Sequence, residues 1–229
     1  MPMASPESPP GSWHLSAEGR AAASALSGVL PARARLVSSD EPKAWETLGG
    51  SSEVTRDSRF NEIIRLGKPW EGNFRELRRL YLEGAAHPGW EPPADAAERF
   101  EAGVSDALHE QDDGPTVIAT HGMVMTTWLV SRGAVAQSAA AGFWSDLRFP
   151  DCFILEADDS MWWTAAAMGA SLSITGPGQA SVPGHRDWLA PVAGGPRYPT
   201  GIQRCAARTG LTVGGSRGRG TRSAGSGSG

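Results

Sequence analysis

Thr116-Val117-Ile118-Ala119-Thr120-His121-Gly122 is the stretch that decides the fold. Five apolar or β-branched residues in a row, Thr116 to Thr120, bounded on one side by Asp112-Asp113-Gly114-Pro115, read as a strand buried on both faces. Met123 to Ser131 follows as a helix. A buried strand that turns directly into a helix is the signature of an α/β sheet. In such sheets ligands bind at the C-terminal edge of the strands. His121 stands at that edge. The helix start after it offers N–H groups and partial positive charge suited to phosphate, and Gly122 allows close approach of a ligand to the backbone.

The same unit recurs upstream. Arg35 to Ser38 (RLVS) reads as a short strand. It opens into Ser39-Asp40-Glu41-Pro42 and then a helix over Lys43–Leu48, or one that starts at Glu41 with Pro42 at its first position. Lys43, in that first turn, is placed to meet a phosphate as a point charge, although an exposed helix lysine is ordinarily just solvated. Before this unit, Ser16 is a natural N-cap for a helix over 17–29, which Pro31 stops. Between the two strand–helix units come an extended piece over 53–60, a charged helix over 73–86 and a helix over 94–110. After them, 151–156 (DCFILE) reads as a further strand. Alternation of this kind predicts an α/β fold with three layers and a largely parallel sheet.

Composition limits the functional classes. Of 229 residues, 40% are hydrophobic and 20% charged, enough for one domain with a real core. The net charge is -4, but from Trp188 onward there are six Arg and no Asp or Glu, so residues 1–187 carry -10. An acidic body argues against a nucleic-acid-binding core. Cys152 and Cys205 have no ligand at metal spacing, so neither a zinc site nor a disulfide framework is expected. No segment has the roughly 20 apolar residues of a membrane helix. The opening MPMASPESPP has no basic start or apolar run, so it does not read as a signal peptide. The expected location is the cytoplasm. Residues 1–11 read as loop, 12–159 as the domain and 160–229 as a Gly/Pro/Arg-rich tail, disordered on composition. The tail's arginines would also suit RNA or other anions, and its abrupt shift in composition would also follow from a change of reading frame.

Arg59-Phe60-Asn61-Glu62, followed by Trp70-Glu71-Gly72, completes a four-part order: Trp13-His14-Leu15-Ser16 leading to Gly19-Arg20, then Ser38-Ser39-Asp40 with Lys43-Ala44 and Thr47, then Glu62, then Ala119-Thr120-His121-Gly122. Over residues 12 to about 156 this order resembles the histidine phosphatase superfamily, phosphoglycerate mutase-like. The resemblance implies a nucleophilic His in an Arg-His-Gly motif that forms a phosphohistidine. It implies a second His holding the phosphoryl oxygens and an acid that protonates the leaving oxygen. By match, His121 is the second histidine and Glu62 the acid. Lys43 stands where the family usually has Arg, which forgoes bidentate binding.

No Arg-His pair occurs in this chain. His14 matches the segment after the family's first strand, and His87, His109 and His185 match none of the motifs. The nucleophile strand is therefore expected just before Met1, so that the sheet is incomplete at the N-terminus and the 116–120 strand is left with an open edge. The ligand implied is a small phosphorylated metabolite, with no cofactor and no metal. A homo-oligomer through the open edge is compatible with this. Two functions compete with phosphatase action. One is non-catalytic binding of a phosphate ligand. The other is nucleic-acid association through the tail, which the acidic body opposes.

Overall fold

In the computed structural model of this chain, the structure describes residues 8–28, 30–31, 33–66, 73–109, 115–156, 166–168, 171–175 and 203–204. In chain order the elements are α1 (Ala17–Ser27), β1 (Arg35–Ser38), α2 (Pro42–Trp45), β2 (Thr55–Arg56), α3 (Phe74–Leu82), α4 (Pro93–His109), β3 (Thr116–Ala119), α5 (Gly122–Ser131), α6 (Ala140–Ser145), β4 (Cys152–Glu156), β5 (Ala166–Met168), β6 (Ser171–Thr175) and β7 (Gln203–Arg204).

Local chemistry explains most boundaries. The Ser16 hydroxyl accepts the Gly19 N–H at 3.1 Å and starts α1. Glu41 precedes Pro42 at the first position of α2, which tightens into a 3-10 turn at Glu46–Leu48. Gly49 ends it at φ 91°, a conformation that favours glycine. The extended piece over 53–60 is shorter than the sequence suggests. Only Thr55–Arg56 pair as a strand, and Asp57 then accepts the Arg59 N–H at 2.8 Å to cap a 3-10 turn at Ser58–Phe60.

β2, β1 and β3 run parallel, with Leu36 opposite Val117, Val37 opposite Ile118 and Ser38 opposite Ala119. Alternation along these strands feeds two cores. Val37 and Ile118 face Phe60, Phe100, Val104, Trp128 and Phe143 from α4, α5, α6 and the 58–60 turn. Val117 and Ala119 face Ala44, Leu48 and Val54 on the other side, where α1 rests on the 46–48 turn. A sheet with helices on both faces makes the three-layer α/β arrangement expected from the sequence.

The far side of β3 is not an open edge. β6 pairs with it antiparallel, Thr116 opposite Ile174 and Ala119 opposite Ser171, and pairs with β4 in parallel on its other side. β5 adds to β6, and β7 to β4. All three added strands come from 160–229, the stretch with the composition of a disordered tail. Within it Ser171-Leu172-Ser173-Ile174-Thr175 alternates polar and apolar residues with period two. Two unsatisfied neighbouring strands give such a segment main-chain partners on both sides. The other residues of 160–229 lie outside the described residues.

Gly103, on α4, faces the 58–60 turn, where a Cβ would meet Phe60 Cζ at 2.8 Å. Phe60 is fully buried and packs edge-on against Phe100 at 5.1 Å between centroids. Alanine would gain about 1 kcal/mol of helix propensity. Forcing the ring aside costs about 1–3 kcal/mol. Gly103→Ala is expected to lower stability in urea unfolding, and an unchanged or higher midpoint would show that the ring moves freely.

Candidate functional site

Because β1 and β3 are parallel, their C-terminal ends lie together. Ser39, one residue past β1, therefore meets His121, two past β3. Ser39 is fully buried, and its Oγ lies 2.8 Å from His121 Nε2. The same Oγ donates to Asn61 Oδ1 at 2.8 Å and accepts the Glu41 N–H at 3.0 Å. Asn61 Oδ1 also accepts the Asp40 N–H at 2.9 Å. Asn61 and Glu62 belong to a loop held from two directions. Thr120 Oγ1 donates to the Phe60 carbonyl at 2.7 Å. Arg99 of α4 donates to the carbonyls of Arg59 (2.6 Å), Asn61 (3.0 Å) and Glu62 (3.3 Å).

His121, Lys43 and Glu62, singled out in the sequence, all line one cleft of about 730 Å³. Lys43 is not a lone cation there. Its Nζ donates to the Pro10 carbonyl at 2.8 Å and pairs with Glu41 Oε2. Glu41 Oε1 accepts the Glu62 N–H at 2.9 Å and lies 3.6 Å from His121 Nε2. Glu62 Oε1 accepts the N–H groups of Ile63 and Val124, each at 3.0 Å. The other described histidines lie elsewhere. His14 is exposed and pairs with Glu46. His87 packs on Trp90 at 4.8 Å, and His109 bonds the Ser105 carbonyl at 2.7 Å. His185, Cys205 and Trp70-Glu71-Gly72 lie outside the described residues.

Burial pushes the Glu41 carboxyl up, but His121 and Lys43 beside it, with the Glu62 amide, hold it below its ordinary value. Burial likewise acts to raise Glu62, and Arg65, His121 and the Ile63 amide outweigh it, so Glu62 is also held ionised. A carboxyl that donates a proton works best with a raised pKa, so the resting state of Glu62 is not the donating one. Burial depresses the His121 imidazole, with Lys43 and Arg65 acting the same way against Glu41 and Glu62. His121 is thus neutral at pH 7.

The cleft contains cations that sequence inspection passed over. Arg65, Arg75 and Arg78 line it. Arg65 donates to Met123 Sδ at 3.4 Å and lies over Phe74 and Trp90. Arg78 stacks on Phe74 at 4.4 Å, and its Nε is enclosed without a hydrogen-bond partner. Burial, helped by Arg65 and opposed by Glu62, pushes Arg78 down to about 10. Phe74, Trp144, Leu147 and Phe149 form apolar wall. Among the described residues no group of three or more His, Cys, Asp or Glu is placed to hold a metal ion, and no helix is long and apolar enough to cross a membrane.

A family model for the histidine phosphatase superfamily (branch 1) matches residues 9–147. No curated protein matches the chain. Among solved structures, mycobacterial glucosyl-3-phosphoglycerate phosphatase in complex with VO3 is 20% identical, covering 57% of this chain and 74% of that one, at a TM-score of 0.45. Its complex with inorganic phosphate is 22% identical over the same shares, at 0.46. A protein described as mycobacterial hydrolase 1 is 23% identical over the same shares, at 0.44. With 139 residues matched by the family model and the motifs gathered in one cleft, the chain belongs to the histidine phosphatase superfamily.

Proposed function

We propose that this phosphatase-like domain binds small phosphomonoesters in the cleft at the sheet edge, and that the chain by itself does not turn them over through a phosphohistidine. The observation that supports binding is the convergence of His121, Lys43, Arg65 and Arg78 on one cleft, with the enclosed Arg78 Nε unpartnered. Burial and Arg65 disfavour the Arg78 charge, and an anion in the cleft would offset that through its own charge. The observation against turnover is that His121 is the single described histidine in the cleft. Without an attacking group, a covalent mechanism loses on the order of 10⁴-fold or more.

In a turning-over form the roles implied by the family would be phosphoryl binding by His121 and Lys43, and protonation of the leaving oxygen by Glu62. A dianionic phosphoryl group beside Glu62 would raise its pKa toward that task. The competing reading, non-catalytic binding of a phosphate ligand, is favoured by the same lone histidine.

Calorimetric titration with inorganic phosphate and phenyl phosphate tests the proposal. Both are expected to bind, more weakly as salt is raised, and His121→Ala is expected to weaken phosphate about tenfold. No detectable binding would refute the anion site. p-Nitrophenyl phosphate is expected to remain intact, and robust hydrolysis abolished by His121→Ala would show that His121 itself attacks. Added imidazole separates the two readings. Hydrolysis that rises with imidazole would mean that only the attacking group is lacking.

A further inference from the structure

The hydrogen bonds around Ser39 leave little freedom in where its proton lies. Asn61 Oδ1 receives the Asp40 backbone N–H, so that atom is an oxygen and accepts only. The Ser39 proton therefore goes to Asn61. Ser39 Oγ already accepts the Glu41 N–H. Its remaining capacity is one lone pair, and the atom facing it at 2.8 Å is His121 Nε2. Nε2 must then carry a hydrogen. The other ring nitrogen, Nδ1, has no hydrogen-bond partner among the described residues. It is also not among the enclosed orphan atoms, so it opens onto the cleft.

We infer that Ser39, held by Asn61, is a positioning residue that fixes His121 as its Nε2–H tautomer and makes Nδ1 the ring atom that meets a ligand. The inference rests on the reading of the cleft as an anion site and extends it in one respect. A neutral ring presents a lone pair at Nδ1, which an anion's oxygen repels. To hold an anion, Nδ1 takes up a proton from solvent and donates it to the ligand oxygen, so that one proton enters with each anion. Four charged groups act most directly on the ring, and Asp40, Arg75 and Arg78 line the same cleft. Glu41 and Lys43 come from α2 and its cap, and Glu62 and Arg65 from the loop after the 58–60 turn. α5 and α6 carry no titratable side chain. The anion adds to the two carboxylates and raises the ring's pKa. Affinity therefore rises as pH falls through the window between the liganded and free values of His121. Inside that window it changes by up to about tenfold per pH unit.

Long-range ¹H–¹⁵N NMR of the full chain reads the tautomer directly. The Nε2–H pattern is expected near neutral pH, and an Nδ1–H pattern would overturn the inference. Asn61→Asp keeps an acceptor for the Ser39 proton and is expected to keep the pattern. Asn61→Ala frees that proton to point at Nε2 and is expected to shift the ring toward Nδ1–H. A merely structural Ser39–Asn61 contact would leave the tautomer alike in both, and that result would also overturn the inference. Sulfate, which does not titrate near neutrality, serves as the ligand for calorimetry in two buffers of different ionisation heat. Uptake of about one proton per sulfate is expected. Sulfate binding without proton uptake would overturn the inference and leave the anion site standing. Failure of both sulfate and phosphate to bind would remove the anion site itself.

Discussion

Trp128→Ala is expected to lose about 3–5 kcal/mol of folding stability, the range for a large aromatic deleted from a packed core. Trp128 is fully buried, its ring lies 5.0 Å from that of Phe100, and its Nε1 donates to Glu101 Oε2 at 2.6 Å. It is the main wedge between α4 and α5, and α5 is the helix whose start carries His121. A domain of this size has about 5–15 kcal/mol in total, so the variant would sit close to unfolding at 37 °C. Trp128→Phe keeps most of the contact area and loses the indole hydrogen bond. It is expected to cost about 1–2 kcal/mol. Urea unfolding measures both. A loss below about 1.5 kcal/mol for the alanine variant would mean that the core around α5 recloses around the gap.

Arg99→Ala is the second large effect, and it acts on the loop that carries Asn61 and Glu62. The guanidinium pairs with Glu91 at 2.6 and 2.8 Å while donating to three carbonyls of residues 59–62. The Glu91 side chain is only 9% exposed. Removing Arg99 leaves that carboxylate with the Ile64 N–H at 3.1 Å in place of a cation, and takes the donor from three carbonyls at once. Breaking a buried pair from one side costs about 3–5 kcal/mol. Lysine offers no planar fork to span a carboxylate and carbonyls together, so Arg99→Lys is expected to recover little. Hydrogen exchange gives the sharper reading. The amides of Glu62 and Asp40 should lose protection in Arg99→Ala, while those of β3 change only with global stability. Unchanged protection at Glu62 would show that Thr120 alone holds the loop.

What could be read from the sequence follows the range of the interactions. β3 and α5 were legible because a Thr-Val-Ile-Ala run covered on both faces has few alternatives, and because His121 follows it directly. α1, α2 and α4 were legible through Ser16, Pro42 and helical spacing. The chemistry linking Ser39, Asn61 and His121 was not, because the partners are 22 and 82 residues apart. Short polar residues in loops show no pattern until parallel strands bring them together. Arg65 and Arg78 were passed over because charge in and before a segment such as Phe74-Arg75-Glu76-Leu77-Arg78-Arg79 reads as a solvated face. Arg79 fits that reading, paired with Glu76 and Glu83 on the surface, but Arg78, one residue earlier, turns into the cleft. β6 was hidden by its surroundings, five alternating residues inside a Ser- and Gly-rich stretch.

The place of β6 between β3 and β4 also sets a schedule for synthesis. β3 leaves the ribosome roughly fifty residues ahead of β6. At about 5–20 residues per second, the nascent chain spends several seconds with one side of its most apolar strand unpaired. Through that interval β1 and β3 can already join, since both have emerged, whereas β4 has no β6 to lie beside. Slowing translation of the roughly fifty codons decoded between the emergence of β3 and that of β6 would lengthen the interval, and speeding it would shorten it. The yield of soluble protein should follow codon choice in that window more closely than codon choice before it. Holdase chaperones should be found on nascent chains that have passed β3 and have not yet delivered β6.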